Sequence, residues 1–187
     1  FIETVEAFNR HTGQFKRLNN ADCQFGYRDS RFKQELDEWV ICAVEFRLDK
    51  NRPLKMAYAG VPEELAAMAV DNPTAVHLAE AISRIRTRKL PNPDLIGNAG
   101  SFFKNPVLAD DAIDQFLQTH SLAPVFPSGQ NGFRKLSAAW LIEQAGWKGF
   151  RAGDAGISAQ HALVLVNYGN ATGAELLALA DAVVDSV

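Results

Sequence analysis

The sequence is poor in the residues with which proteins bind metals or form disulfides. Only two cysteines, Cys23 and Cys42, occur among 187 residues, with no Cys-x-x-Cys pair and no cluster of His and Cys. The four histidines share no spacing that would build a metal site. We therefore expect two reduced, mostly buried thiols in a cytoplasmic protein without a zinc or iron centre.

Strong net charge and long apolar runs are also missing. The 19 basic and 22 acidic residues leave a formal net charge of −3, which attracts neither nucleic acid nor an anionic membrane. No apolar run approaches the roughly 20 residues that span a bilayer, and no signal peptide opens the chain. We expect a monomer that binds neither membrane nor nucleic acid. The first residue is Phe1 rather than Met, so we expect the chain to begin inside a longer sequence.

The first part of the sequence has the patterning of β-strands. Apolar and polar residues alternate on both sides of 9–13, which predicts a β-hairpin. The β-branched, apolar run WVICAVEFRL predicts a strand over 39–48. A shorter strand is predicted over 51–60, ended by Gly60.

Helical spacing dominates the later part, although one buried strand is predicted at HALVLVNYGN. The prolines and glycines of LPNPDLIGNAG predict a loop and a domain boundary near residue 90. Gly146 is predicted to end one helix, and Thr172 with Glu175 forms a capping-box pair that begins the last helix. The fold class expected is α+β in two lobes. The predicted helices are PEELAAMAV, PTAVHLAEAISRIRTRKL, ADDAIDQFLQTH, SAAWLIEQAG and TGAELLALADAVVDSV.

The stretch GNAGSFFKNP at 97–106 combines glycines with a serine and two phenylalanines. Gly97 and Gly100 allow a tight turn or the close approach of a ligand. In an extended segment, Ser101 and Phe102 would face opposite sides, and the serine hydroxyl could donate a proton to a ligand. The pattern also permits a turn serine that bonds its own backbone. No Gly-x-Ser-x-Gly motif surrounds it, which argues against a nucleophilic triad.

Two basic stretches allow both a structural and a functional interpretation. In FGYRDS, Arg28 could form a surface ion pair, or its planar guanidinium could hold a carboxylate and stabilise developing negative charge. In RIRTRKLPNP, Arg84 and Arg88 lie four residues apart on a predicted helix, whose basic end could be solvated or could bind phosphate. Lys104 and Lys148 in other motifs are consistent with phosphate binding.

Together these motifs resemble those of the UDP-N-acetylenolpyruvoylglucosamine reductase (UDP-N-acetylmuramate dehydrogenase) family, the flavoenzymes that make UDP-N-acetylmuramate for bacterial cell walls. The resemblance rests on GNAGSFFKNP, FGYRDSRFK, RTRKLPNP, SAAWLIEQAGWKGFRAGDAGIS and HALVLVNYGN, and it covers essentially the whole chain. It implies a cytoplasmic enzyme of peptidoglycan biosynthesis, on which cell shape and cell division depend. It also implies part of an α+β FAD-binding domain at 1–88 and an α+β substrate-binding domain at 89–187.

The resemblance also implies a mechanism and a set of site residues. NADPH reduces bound FAD, and the reduced flavin passes hydride to the double bond of UDP-N-acetylglucosamine enolpyruvate. Ser101 then protonates the adjacent carbon, while Arg28 stabilises the charge on the enolpyruvyl carboxylate. A fixed cation there should lower the barrier by roughly 3–4 kcal/mol. The remaining residues implied are Arg86 near the flavin and, as contacts to the substrate, Tyr58, Lys89, Asn105 and Lys148.

The chain departs from the family pattern in three places. It lacks the N-terminal Gly/Ser-rich loops that hold the FAD pyrophosphate, and it ends before the Leu-Glu-Pro-Glu segment with the family's catalytic glutamate. Phe126 stands where some members have a tyrosine at the substrate mouth. We therefore expect a chain truncated at both ends, inactive by itself and isolated without FAD, hence colourless.

Two other functions remain open on the sequence. The chain by itself could be a binding module that holds a UDP-sugar without redox activity. It could also derive from a different oxidoreductase of the FAD-binding superfamily. Lys89, Asn105 and Lys148 argue against the second alternative, because they suit a substrate linked to a diphosphate.

Overall fold

A computed structural model describes all 187 residues, which form an α+β architecture with three antiparallel sheets. The strands are β1 Ile2–Asn9, β2 Gln14–Asn19, β3 Trp39–Phe46, β4 Gly97–Ser101, β5 Val107–Ala109, β6 Val125–Pro127, β7 Phe133–Leu136, β8 Arg151–Ala152, β9 Ala155–Ile157 and β10 Val164–Asn167. The helices are α1 Arg31–Gln34, α2 Val61–Ala67, α3 Ala75–Lys89, α4 Asp110–Thr119, α5 Ala138–Gln144 and α6 Gly173–Ser186. None of the six helices has the length and apolar content that crossing a membrane requires.

Backbone contacts divide the chain into two compact units, Phe1–Pro53 and Leu54–Val187. The boundary between an FAD-binding part and a substrate-binding domain, predicted at 88/89, stays a prediction. In the first unit, β1 pairs antiparallel with both β2 and β3, giving the order β2-β1-β3. Val5 and Ala7 alternate with exposed Glu6 on β1 and face a small core that also contains Leu18, Cys23 and Phe32.

The second unit begins with the helix pair α2–α3. Val61 and Leu65 of α2 pack against Ala81 and Ile85 of α3, and these four side chains are buried. Thr74 caps α3 by accepting a hydrogen bond from the backbone N–H of His77. The cap fixes the start of α3, and the packing of Ile85 fixes its last turns, which carry Arg86 and Lys89.

A buried carboxylate also ties the two helices together. Glu64 of α2 is only 7% exposed and pairs with the guanidinium of Arg88 on α3. The hydrogen bond from Arg88 lowers the pKa of the Glu64 carboxyl below its ordinary value, because it stabilises the charged form. The ion pair therefore holds α3 against α2 at neutral pH.

The largest sheet has the order β4-β10-β9-β8, and its strands pair antiparallel. Its central strands β9 and β10 are almost wholly buried. Helix α6 packs on this sheet through Leu179, Ala180 and Val183, and Ile142 of α5 belongs to the same core. The sheet and its two helices provide the rigid support for the end of β4.

A third sheet, of order β5-β7-β6, follows β4 along the chain, and α4 lies beside it. Arg134 on β7 donates hydrogen bonds to the carboxylates of Asp110 and Asp114 on α4. The hydrogen bonds that Arg134 donates to Asp114 and Asp110 raise the pKa of its guanidinium above its ordinary value. These contacts fix α4 to its own small sheet.

The structure confirms several sequence predictions and corrects others. The hairpin around 9–13, the strand that begins at Trp39 and the capping box of α6 are confirmed. The strand predicted over 51–60 is wrong, because that segment forms no strand. Part of the loop predicted before Ser101 is in fact β4, and Cys42 is exposed rather than buried.

Candidate functional site

Ser101 is the last residue of β4, at the edge of the largest sheet. It pairs with Val164 of the buried strand β10, and the following Phe102 N–H donates to the Leu163 carbonyl at 2.7 Å. The residue itself is exposed. The backbone at Ser101 is thus held on one side by the packed strand β10, and the residue is exposed to solvent on the surface.

The loop before Ser101 is fixed by one amide side chain. Asn98 donates from Nδ2 to the carbonyls of Pro91 at 3.2 Å and Ile96 at 3.0 Å, and its Oδ1 accepts from the N–H of Gly100 at 3.1 Å. Gly100 has φ +75°, a left-handed conformation that favours glycine. These contacts explain why Asn and Gly precede the serine.

The two phenylalanines after Ser101 have different roles. Phe103 packs against the core of the largest sheet, whereas Phe102 is half exposed. Their rings meet edge to face at 5.2 Å between centroids. The alternation expected of an extended segment is not observed, because β4 ends at Ser101 and both Ser101 and Phe102 are exposed. Phe103 anchors the stretch, while Ser101 stays at the surface.

A polar cleft of about 680 Å³ lies between the end of α3 and the start of β4. Ser83, Arg86 and Thr87 line it from the helix, and Asn98 and Gly100 line it from the strand. Gly100, the residue before Ser101, is the last lining residue along the chain.

Arg86 differs from the other two arginines of α3. Arg84 pairs with Glu80 and Arg88 pairs with Glu64, whereas Arg86 forms no ion pair. A guanidinium with unused donors in a polar cleft suits an anionic or carbonyl-rich group. This donor set fits the position near a flavin that the sequence implies for Arg86, as well as a phosphate.

The ammonium groups of Lys89 and Lys148 both act on the imidazole of His161. Burial lowers the pKa of His161 below its ordinary value, and the ammonium groups of Lys89 and Lys148 lower it further, against the opposing effect of the Glu143 carboxylate. Lys148 also pairs with Glu143 at 2.8 Å between Nζ and Oε1. Two predicted substrate contacts from distant parts of the sequence thus lie near one imidazole.

Asn105 has a structural role in addition to any contact with a ligand. Its Oδ1 accepts a hydrogen bond from the backbone N–H of Ala138, the first residue of α5, at 3.0 Å. The oxygen therefore satisfies one of the unpaired N–H groups at that helix start. The amide N–H groups of Asn105 stay available to donate to a substrate.

Two further predicted residues lie on irregular backbone. Arg28, in the first unit, is exposed and has φ 56° within the short bridge between Gly26 and Asp29, and its carbonyl accepts from Lys33 Nζ. A positive φ in a residue other than glycine is uncommon and often occurs at functional sites. Tyr58 is 44% exposed in the segment that leads into α2.

A second cavity, of about 660 Å³, lies at the hairpin between β6 and β7. Phe126, Phe133 and Arg134 are among the residues that line it, and both phenylalanines are more than 40% exposed. Phe126, the residue that departs from the motifs of the resembled family, belongs to this cavity. No group of three or more His, Cys, Asp or Glu residues is placed to hold a metal ion.

Comparisons with known proteins identify the family. The profile described as "UDP-N-acetylenolpyruvoylglucosamine reductase, C-terminal domain" matches residues 91–187, which is more than half of the chain. The chain belongs to the UDP-N-acetylenolpyruvoylglucosamine reductase family. The matched range contains Ser101, Asn105 and Lys148, and Lys89 lies two residues before it.

Individual reductases of this family match the whole chain. The UDP-N-acetylenolpyruvoylglucosamine reductase of Xanthomonas euvesicatoria pv. vesicatoria is 56% identical over all 187 residues, and that of Xylella fastidiosa is 53% identical; both alignments cover 53% of the relative. The crystal structure of the Thermus caldophilus reductase is 27% identical with a TM-score of 0.56, and covers 100% of this chain and 49% of that one. The chain thus spans about half the length of the reductases it matches.

His161, on which the charges of Lys89 and Lys148 act, was not singled out from the sequence. It is one of four scattered histidines, and nothing in its spacing relates it to Lys89 or Lys148. Only the fold brings the end of α3, the end of α5 and the β9–β10 loop together. Its position at the start of the predicted buried strand HALVLVNYGN is the signal that the sequence offers.

Proposed function

We propose that the full-length protein catalyses the NADPH-dependent, flavin-dependent reduction of UDP-N-acetylglucosamine enolpyruvate to UDP-N-acetylmuramate in peptidoglycan biosynthesis. The observation that carries the proposal is 56% identity, along the whole chain, with a reductase of that name. The polar cleft with the unpaired Arg86 beside Ser101 supports it. The protein is proposed to act in the cytoplasm as a monomer.

The substrate is proposed to bind along the end of α3 and the end of β4. Lys89 and Lys148 neutralise the diphosphate, which suits ammonium groups as compact cations. Asn105 donates from its amide to the nucleotide sugar, and the Tyr58 hydroxyl supplies a further contact. Arg86 holds the flavin through hydrogen bonds from its guanidinium. When bound, the flavin supplies hydride to the double bond of the enolpyruvyl group.

Ser101 and Arg28 are proposed to manage the charge that this addition creates. One carbon of the double bond gains the new C–H bond, and the electron pair of the π bond moves toward the neighbouring carbon and its carboxylate. Arg28 stabilises the negative charge on that carboxylate. Ser101 gives its hydroxyl proton to the carbon, and the alkoxide is restored by a proton from solvent. A carbanion-like carbon is far more basic than an alkoxide, so this transfer is downhill.

The isolated chain has a second candidate function as a UDP-sugar binding module without redox activity. The observation in its favour is that the chain covers only 53% of its relatives. Such a module would use Lys89, Lys148 and Asn105 in the same way, while FAD and NADPH bind only to the longer protein.

An activity assay on the full-length protein tests the proposal. We expect NADPH oxidation, followed at 340 nm, that depends on both bound flavin and added UDP-N-acetylglucosamine enolpyruvate, with one NADPH consumed per substrate. UDP-N-acetylglucosamine, which has no double bond to reduce, is the matched control and should give no turnover. NADPH oxidation that proceeds at the same rate with and without the enolpyruvyl substrate would contradict the proposed function.

A further inference from the structure

Arg28 lies in a tight turn whose backbone conformation is unfavourable for an arginine. The Gly26 N–H donates to the Asp29 carbonyl at 2.9 Å, and the Asp29 N–H donates to the Gly26 carbonyl at 3.4 Å. Arg28 is the third residue of this turn and has φ 56°, in the left-handed region that favours glycine. A residue with a Cβ is strained there, and such a conformation persists only where surrounding contacts hold it.

Helix α1, which follows the turn, is anchored in the core of the first unit. Phe32 is buried in that core, and the Arg31 N–H donates to the carbonyl of the buried Cys23 at 2.9 Å. Lys33, the next residue, is exposed and reaches back to the turn, where its Nζ donates to the Arg28 carbonyl at 2.8 Å. The core therefore supports the backbone of Arg28 through the helix and one lysine.

Two side chains of α1 reach the turn, and they hold different residues of it. Gln34 donates from Nε2 to the Asp29 carboxylate at 3.4 Å, which is long for a hydrogen bond. Lys33 binds Arg28 itself, through a shorter bond with a charged donor. The position of the Arg28 carbonyl depends on ψ of that residue, so the Lys33 bond fixes the torsion that, together with φ, sets the direction of the Arg28 side chain.

We propose that Lys33 is a positioning residue for the reaction, which directs the Arg28 guanidinium at the substrate carboxylate by holding the Arg28 carbonyl. This inference rests on the proposed function for the role of Arg28. Lys33 acts through Arg28 and does not touch the substrate. A guanidinium that points away loses the stabilisation of the charge that develops in the transition state, so the loss of Lys33 should lower the rate more than substrate binding.

The Lys33→Met variant of the full-length protein tests the inference, because methionine keeps an unbranched side chain but removes the donor. We expect kcat for reduction of the enolpyruvyl substrate to fall roughly 5- to 30-fold, with KM changed less than about twofold. Stopped-flow absorbance should show flavin reduction by NADPH at the original rate. Lys33→Arg keeps a charged donor and should recover most of the loss. Lys50→Met changes an exposed lysine after β3 and should behave like the unmodified protein.

A double-mutant cycle with Arg28→Gln separates positioning from direct contact with the substrate. If Lys33 acts through Arg28, Lys33→Met should have no further effect on kcat once Arg28 is glutamine. The same fold-loss in both backgrounds, or full activity of Lys33→Met while Arg28→Gln is slow, would overturn the inference and leave the proposed function intact. Full activity of Arg28→Gln would instead contradict the proposed role of Arg28, and the inference with it.

Urea unfolding of this chain tests the strained turn without any substrate. Arg28→Gly and Arg28→Ala lose the same guanidinium, but only glycine adopts the left-handed φ without strain. We expect the glycine variant to unfold at a higher urea concentration than the alanine variant, and at one no lower than that of the unmodified chain. An alanine variant as stable as the glycine variant would show that the turn needs no support from Lys33, and would contradict the inference.

Discussion

Replacement of Ser101 by alanine in the full-length protein is expected to abolish reduction of the enolpyruvyl substrate. Loss of a positioned general acid costs about 10²–10⁴-fold in rate. The hydroxyl lies at the end of β4, where pairing with β10 holds the backbone, so alanine removes the proton source without moving the strand. Stopped-flow absorbance should show that NADPH still reduces the bound flavin at nearly the original rate, because that step needs no proton from Ser101.

Two controls make this experiment decisive. Ser121→Ala changes an exposed serine in the loop after α4 and should leave both steps unchanged. Ser101→Cys restores an ionisable proton at nearly the same position and should recover part of the lost rate. If Ser101→Ala reduced the substrate as fast as the unmodified protein, Ser101 would not be the proton donor. If flavin reduction slowed equally, the serine would act on binding or folding instead.

Gly156→Ala is expected to destabilise the second unit strongly. A Cβ at this position of β9 would lie 2.9 Å from the carbonyl oxygen of Phe150 and 2.8 Å from Cε2 of Tyr168. The Phe150 carbonyl also accepts the Ile157 N–H at 2.8 Å, so the backbone there has no freedom to retreat. Overpacking of this kind costs about 1–3 kcal/mol, which urea unfolding measures as a lower midpoint at an unchanged slope.

Gly173→Ala provides the matched control for this substitution. Gly173 begins α6, a Cβ there would meet nothing within 4 Å, and alanine is the better helix former. We expect its stability to equal or slightly exceed that of the unmodified chain. Equal unfolding midpoints for Gly156→Ala and Gly173→Ala would show that β9 is not packed as described.

Elements with strong local patterns could be predicted from the sequence. The hairpin of β1 and β2 follows from alternation around a turn, and α3 and α6 follow from helical periodicity, with Thr172 as the predicted N-cap of α6. β10 follows from its apolar run. In each case the residues that decide the structure are neighbours in sequence, so local propensity and the final packing agree.

The short strands could not be predicted. β5 to β9 contain two to four residues each, too few to show a period of two. The strand wrongly predicted at 51–60 contains Pro53, which lacks the N–H that a ladder needs. For β3 the apolar sequence correctly predicts a strand. It does not predict the exposure of that strand, since Val40, Ile41 and Phe46 are at least 50% exposed.

In the candidate site, too, some features could be predicted from local motifs and others could be seen only in the fold. Ser101, Lys89 and Lys148 could be named from motifs that resemble those of a known family. The proximity of Lys89 and Lys148 to His161 could not, since these residues come from α3, the loop after α5 and the β9–β10 loop. The structural use of Asn105 as an acceptor for the start of α5 was also invisible in the sequence.

The central claim is that a nucleotide sugar binds to the surface formed by the end of α3, the end of β4 and the β9–β10 loop. ¹H–¹⁵N NMR spectra of this chain, recorded while UDP-N-acetylglucosamine is added, test it most directly. The account predicts saturable shifts that are largest for the backbone signals of Lys89, Ser101, Lys148 and His161. Shifts confined to the hairpin between β6 and β7, or no saturable shifts at all, would contradict it.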